Sequence, residues 1–157
     1  MDPQVTTEAI DPMVQSLGLV GAMGALALAA VGSALGTGAA GAAAVGAWKK
    51  CYAQGKEAPM KLITFVGAPL SQTIYGMILM FYINGQAEKG TPYPALLFGG
   101  LLAGLAIGFS AWLQGKAGAG ASHALADTGE GFTNYLTALG VIETVAIFVM
   151  VLSLIVL

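Results

Sequence analysis

From Val141 to Leu157 the chain is one apolar run with a single ionisable side chain, Glu143. A stretch of this kind suits a bilayer span. A carboxylate at bilayer depth is costly, so it is rare unless something binds it. Glu143 is therefore the expected holder of a cation, and the rest of the chain can be read as what makes that binding workable. Composition agrees: 57% of the 157 residues are hydrophobic and 9% charged, against about a quarter charged in a soluble domain. Mean hydropathy is +0.79. The expected fold class is an all-α, multi-pass membrane protein.

Four spans follow from the hydropathy pattern, arranged as two tandem helical hairpins. Residues 1–13 are polar and acidic, carry Pro3 and Pro12, and read as an external tail rather than a basic secretory leader. The first hairpin covers 14–83, with helices over 14–48 and 60–83. The second covers 94–157, with helices over 94–125 and 132–157. The loop 49–61 holds Lys49, Lys50, Lys56 and Lys61 against one acid, Glu57. That excess places it, and the turn at 126–131, on the cytoplasmic side, with both termini outside. The segment 84–91 reads as an external loop. Cys51, the one cysteine, excludes an intrachain disulfide and a Cys-based metal cluster, and reads as an inert thiol in a loop. His123 reads as an interfacial residue. No basic patch points to nucleic acid, and no nucleophile–base set, phosphate loop or cofactor motif points to catalysis.

Glycine is the second organising feature, with 23 residues. The first helix carries Gly32, Gly36, Gly38 and Gly41, and the third carries Gly99, Gly100, Gly104, Gly108, Gly115, Gly118 and Gly120. Faces stripped of side chains let backbones approach closely. The two halves also share a pattern. Leu70-Ser71-Gln72-Thr73-Ile74 lays over Glu143-Thr144-Val145-Ala146-Ile147, so the second hairpin reads as a copy of the first, with a carboxylate where the first has Leu70.

Depth brings polar side chains together. Gln72 is eleven residues past Lys61, Gln114 eleven before Leu125, and Glu143 eleven past Phe132. Each of those reference points marks a cytoplasmic helix end, so each polar group lies ~16 Å into the membrane from one side. Pro69 should kink the second helix and free a backbone carbonyl; the carbonyl near Ala68 is a candidate ligand. Ser71, Gln72 and Tyr75 share a helix face. A carboxylate, two amide oxygens, hydroxyls and a carbonyl form the oxygen-only set that hard cations take. With one formal negative charge, such a site is neutral around one monovalent ion, which favours Na⁺ over a divalent ion. Tyr75 is placed to hold the Glu143 carboxylate through its O–H. A proton alone would need no such set. The plain alternative for Gln72 and Gln114 is interhelical hydrogen bonding.

These residues resemble the proteolipid of V-type (V/A-type) rotary ATPases, subunit K of the membrane rotor ring. The resemblance rests on the Gly-rich first helix, Pro69-x-Ser71-Gln72-x-x-Tyr75-Gly76, Phe109-Ser110 with Gln114-Gly115-Lys116, and Ile142-Glu143-Thr144. It implies a ring of many copies surrounded by lipid, with one Na⁺ per chain bound through Glu143, ligands Ser71, Gln72 and Gln114, and Tyr75 holding the carboxylate. It also implies a stator subunit whose arginine displaces the ion, and a central stalk at the cytoplasmic loops that transmits ATP hydrolysis from a separate soluble head. The host would be an energy-coupling membrane, such as a prokaryotic plasma membrane. Leu70 stands where the sodium-type members have Gly, and Leu35, Val145 and Val149 are further departures. Of these, Leu70 is the one expected to disturb ligand geometry. Two other readings stay open: the same ring coupled to protons, and a small proton-coupled four-helix transporter. The transporter class carries its membrane Glu on the first helix, unlike Glu143.

Overall fold

A computed structural model describes residues 11–157, and within them every regular element is helical. Helix α1 spans Pro12–Ala53, α2 Leu62–Gly67, α3 Ser71–Glu88, α4 Tyr93–Thr128 and α5 Phe132–Val156. A 3-10 turn over Ala68–Leu70 joins α2 to α3, so the two act as one broken span. The result is four helices long and apolar enough to cross a membrane, as expected.

Several boundaries differ from the sequence reading. The helix over 14–48 begins earlier because Asp11 caps it: its carboxylate accepts the Met13 N–H at 2.8 Å, with Pro12 at the first helical position. Pro12 and Met13 therefore leave the expected tail, and residues 1–10 lie outside the described residues. At its other end α1 continues through Lys49 to Ala53, which shortens the loop 49–61 and places Cys51 in a helix. Cys51 is buried there, its Sγ 4.0 Å from the Ala126 carbonyl. The segment 84–91 is mostly helical too. Asn84 Nδ2 donates to Glu88 Oε1 at 3.2 Å, one turn on, and Gln86 Nε2 donates to the Tyr82 hydroxyl at 2.6 Å. Likewise α4 runs on through Thr128. It stops where Gly129 turns left-handed at φ 74° and returns its N–H to Leu125 O at 2.8 Å.

Helices α1 and α4 form the centre, in the closest pairing of the fold. They run parallel. Gly21 lies on the Leu96 carbonyl, Gly32 on that of Gly108 and Gly36 on that of Ala111, so contacts rise together along both chains. From the other side Gly108 meets Leu28, and Gly115 meets Gly36. These are backbone-on-backbone contacts, which no residue with a Cβ could make. At 42 and 36 residues, the two helices are ~63 and ~54 Å long at ~1.5 Å per residue. Both exceed a ~30 Å hydrocarbon core. Their protruding ends are tied by Lys50 Nζ on Asp127 Oδ1 at 2.6 Å, a pair more than half exposed.

Helix α3 and the 3-10 turn before it pack antiparallel on α1, with Gly76 against Ala29 and Pro69 against Gly36. Helix α5 rests on α4 and α3. Its other side leaves Val141, Val145, Phe148 and Leu152 exposed. The start of α2 and the start of α5 are pinned together by aromatic packing. The Phe65 ring lies 5.4 Å from Phe132 and 6.3 Å from Tyr135, and Lys61 Nζ sits 5.6 Å over the Phe132 ring. Leu125 is buried in the same cluster. Lys61, Leu125 and Phe132 thus share one level, which gives the eleven-residue spacing its physical basis.

Candidate ion-binding site

Glu143 lies half-buried on α5, where that helix crosses α4 and α3. Its two oxygens are held from different helices. Tyr75 Oη, on α3, donates to Oε1 at 2.7 Å, and Gln114 Nε2, on α4, reaches Oε2 at 3.2 Å. Gln114 has a second donor contact, to the Leu139 carbonyl of α5 at 3.0 Å. Its amide hydrogens are therefore both committed to α5, one turn apart. The Gln114 carbonyl in turn accepts from Gln72 Nε2 at 2.8 Å. Both glutamines are fully buried.

The first hairpin contributes an oxygen cluster. Ser71 Oγ lies 3.0 Å from Ala68 O and 3.1 Å from Gln72 Oε1. The 3-10 turn creates this arrangement. Pro69 brings no N–H to the helical ladder, and Ser71, just past the turn, returns its own N–H to Ala68 O. The Ser71 hydroxyl has one hydrogen to share between two acceptors. Three electronegative oxygens therefore meet around a single proton, an arrangement that a small cation would stabilise.

All five side chains singled out from the sequence, Ser71, Gln72, Tyr75, Gln114 and Glu143, thus fall into one continuous network, with the Ala68 carbonyl at its edge. Leu70 does not belong to it. That side chain is 52% exposed and makes none of these contacts, since position 70 turns outward while Gln72 faces inward. Leu35 and Val145 are also exposed, and Val149 packs on the apolar core.

Ser110 is a contributor that the sequence reading did not assign. Its buried hydroxyl donates to the Ile142 carbonyl at 3.0 Å, fixing α5 at the residue before Glu143. Its position one turn before Gln114 on the same face was the available signal. His123 is exposed and stands apart from the network, as does Cys51.

The fold and site define a multi-pass helical membrane protein with one carboxylate held between helices by amide and phenol groups. Comparison with known proteins is consistent with a specific class. Residues 97–156 match the family model for the C subunit of ATP synthase, which supports the proteolipid family of rotor-ring subunits. The matched segment contains Ser110, Gln114 and Glu143, whereas Ser71, Gln72 and Tyr75 lie before it. No curated protein matches the chain.

Proposed function

We propose that the chain is the ion-carrying rotor-ring proteolipid of a V-type (V/A-type) ATPase, and that its cargo is Na⁺. Copies of the chain form a ring in an energy-coupling membrane. Each copy carries one ion on Glu143 past lipid and exchanges it at a stator subunit that supplies an arginine. A soluble head hydrolyses ATP and drives the ring through a stalk at the cytoplasmic turns; this chain carries the ion and hydrolyses nothing. The family match to the second hairpin supports the rotor reading.

The observation that carries the sodium reading is the excess of oxygen acceptors over hydrogens around Ser71, next to a carboxylate already held by two donors. A proton on Glu143 would need one acceptor. It would leave the Ala68, Ser71 and Gln72 oxygens no better satisfied. One Na⁺ coordinated by these oxygens and Glu143 makes the site neutral, and a neutral site can face lipid where a bare carboxylate cannot.

Carbodiimide labelling of the membrane-embedded protein tests this, since the reagent attacks a protonated carboxyl in an apolar setting. Labelling should map to Glu143 and be suppressed by Na⁺. Labelling that ignores Na⁺ at every pH would assign the site to protons. Absence of labelling at Glu143 would count against the rotor reading itself.

A further inference from the structure

On α1, Ser33 is 2% exposed and its Oγ makes no hydrogen bond among the described residues. A buried hydroxyl without a partner is uncommon and calls for an explanation. Its register supplies one. Helices α1 and α3 run antiparallel, with Ala29 on Gly76 at one level and Gly36 on Pro69 at another. Four residues on from Ala29 is Ser33, and four back from Gly76 is Gln72. Residues four apart share a helix face, so Ser33 and Gln72 occupy the same level of the same seam. Gln72 is itself fully buried and has two amide hydrogens. One reaches Gln114 Oε1, and the described residues offer the other no partner within hydrogen-bond reach.

We infer that Ser33 is a positioning residue for Gln72, accepting the Gln72 amide hydrogen when the Gln72 carbonyl turns onto a cation. This rests on the sodium reading above. Coordination of one ion by Gln72 Oε1 and Gln114 Oε1 together places positive charge where the Gln72 Nε2–H now points. The amide nitrogen must then turn away from the ion, toward α1, where two buried hydroxyls, Ser33 Oγ and Thr37 Oγ1, lack partners among the described residues. Of these Ser33 stands at the level of Gln72, while Thr37 lies one turn on, toward Ala68. Even with its own hydrogen on a backbone carbonyl of α1, the Ser33 hydroxyl keeps lone pairs to accept with. Proton loading of Glu143 asks nothing of Gln72, so the role of Ser33 is confined to cation binding.

The test compares wild type with Ser33→Ala in intact protein in membranes. Two midpoints are read from carbodiimide labelling of Glu143: the Na⁺ concentration that half-protects it, and the pH of half-labelling without Na⁺. Loss of one hydrogen bond in the loaded state should raise the Na⁺ midpoint about two- to tenfold and leave the pH midpoint unchanged. An unchanged Na⁺ midpoint, or a joint shift of both, would overturn the inference; a joint shift would mark a general loosening of the α1–α3 seam. If the alanine variant does not accumulate, Ser33→Cys keeps nearly the same volume with a weak acceptor and must give the same split. If wild-type labelling ignores Na⁺, the sodium reading fails first, so the two failures are distinguishable.

Discussion

Tyr75 and Glu143 are joined by a 2.7 Å hydrogen bond from the phenol to Oε1. It links the first hairpin to the carboxylate of the second. The Tyr75 hydroxyl also lies close to Ser71, so its removal tests the side of the network that faces the first hairpin. Hydrogen bonds to charged groups are worth about 1.5–3 kcal/mol. Tyr75→Phe keeps the ring and its packing and deletes only the hydroxyl. Sodium protection of Glu143 from carbodiimide should therefore weaken by at least about tenfold. Protection unchanged from wild type would show that Tyr75 does not hold the carboxylate in the loaded state.

The α1–α4 seam makes a different prediction. A methyl at Gly115 would land on the Gly36 backbone, a group that cannot rotate away. Gly115→Ala must push the two central helices apart. Overpacking usually costs about 1–3 kcal/mol, and a rigid backbone neighbour places this case at the upper end. By contrast, Gly46 has nothing within 4 Å of an added Cβ within its own chain, and Gly46→Ala should leave the folded chain intact. Thermal melting of the two variants in mild detergent checks the contrast. Equal melting temperatures would contradict the seam.

How much of this was readable beforehand depended on which physical signal each residue carries. The four spans were legible because apolar runs have no other use at this length, and Glu143 because a charge in such a run is conspicuous. Equal spacing from the helix ends that lie at one level located Gln72 and Gln114. The structure shows why that worked: Phe65, Leu125 and Phe132 clamp those ends at one level. Helix ends were harder to read. Lys49 and Lys50 look like loop residues, yet α1 continues through them because it packs along a similarly extended α4, which itself runs on to Thr128. The direction of Leu70 depended on a 3-10 turn, whose effect on side-chain phase is invisible to a count of residues. Ser110 and Ser33 were missed because a serine in a small-residue helix resembles mere packing until its neighbours are known.

Gln114 carries three contacts, to Leu139 O, Glu143 Oε2 and Gln72 Nε2. Gln114→Leu preserves approximate volume but removes the acceptor of a buried amide on Gln72 and a donor to the Glu143 carboxylate; the Leu139 carbonyl keeps its partner in the α5 ladder. Each unsatisfied buried group costs about 1–3 kcal/mol, so the variant should melt earlier than wild type. It should also lose sodium protection of Glu143. Gln114→Glu is the informative companion. It keeps an acceptor for Gln72 but cannot donate to Leu139 and Glu143 together, and it adds a second carboxyl beside the first. Like charges at this range disfavour joint ionisation, so one of the two carboxyls should stay protonated and take up carbodiimide even with Na⁺ present. Full sodium protection in Gln114→Glu would contradict the contact between Gln114 and Glu143.

Glu143→Gln separates folding from ion carriage. The amide fits the same volume, and its carbonyl can still accept from Tyr75 or Gln114. Its NH₂ group, however, meets donors rather than acceptors on at least one side, since Tyr75 Oη and Gln114 Nε2 both donate to the present carboxylate. Tyr75 can resolve one conflict by reversing its hydroxyl to accept. The chain should therefore stay folded with a modest loss of thermal stability. Ion binding should vanish, because the remaining oxygens carry no formal charge to neutralise the cation. Sodium uptake by vesicles containing the assembled complex should fall to background, and carbodiimide labelling should disappear. Residual sodium transport in this variant would mean that the carboxylate is not the carrier, whatever its hydrogen bonds.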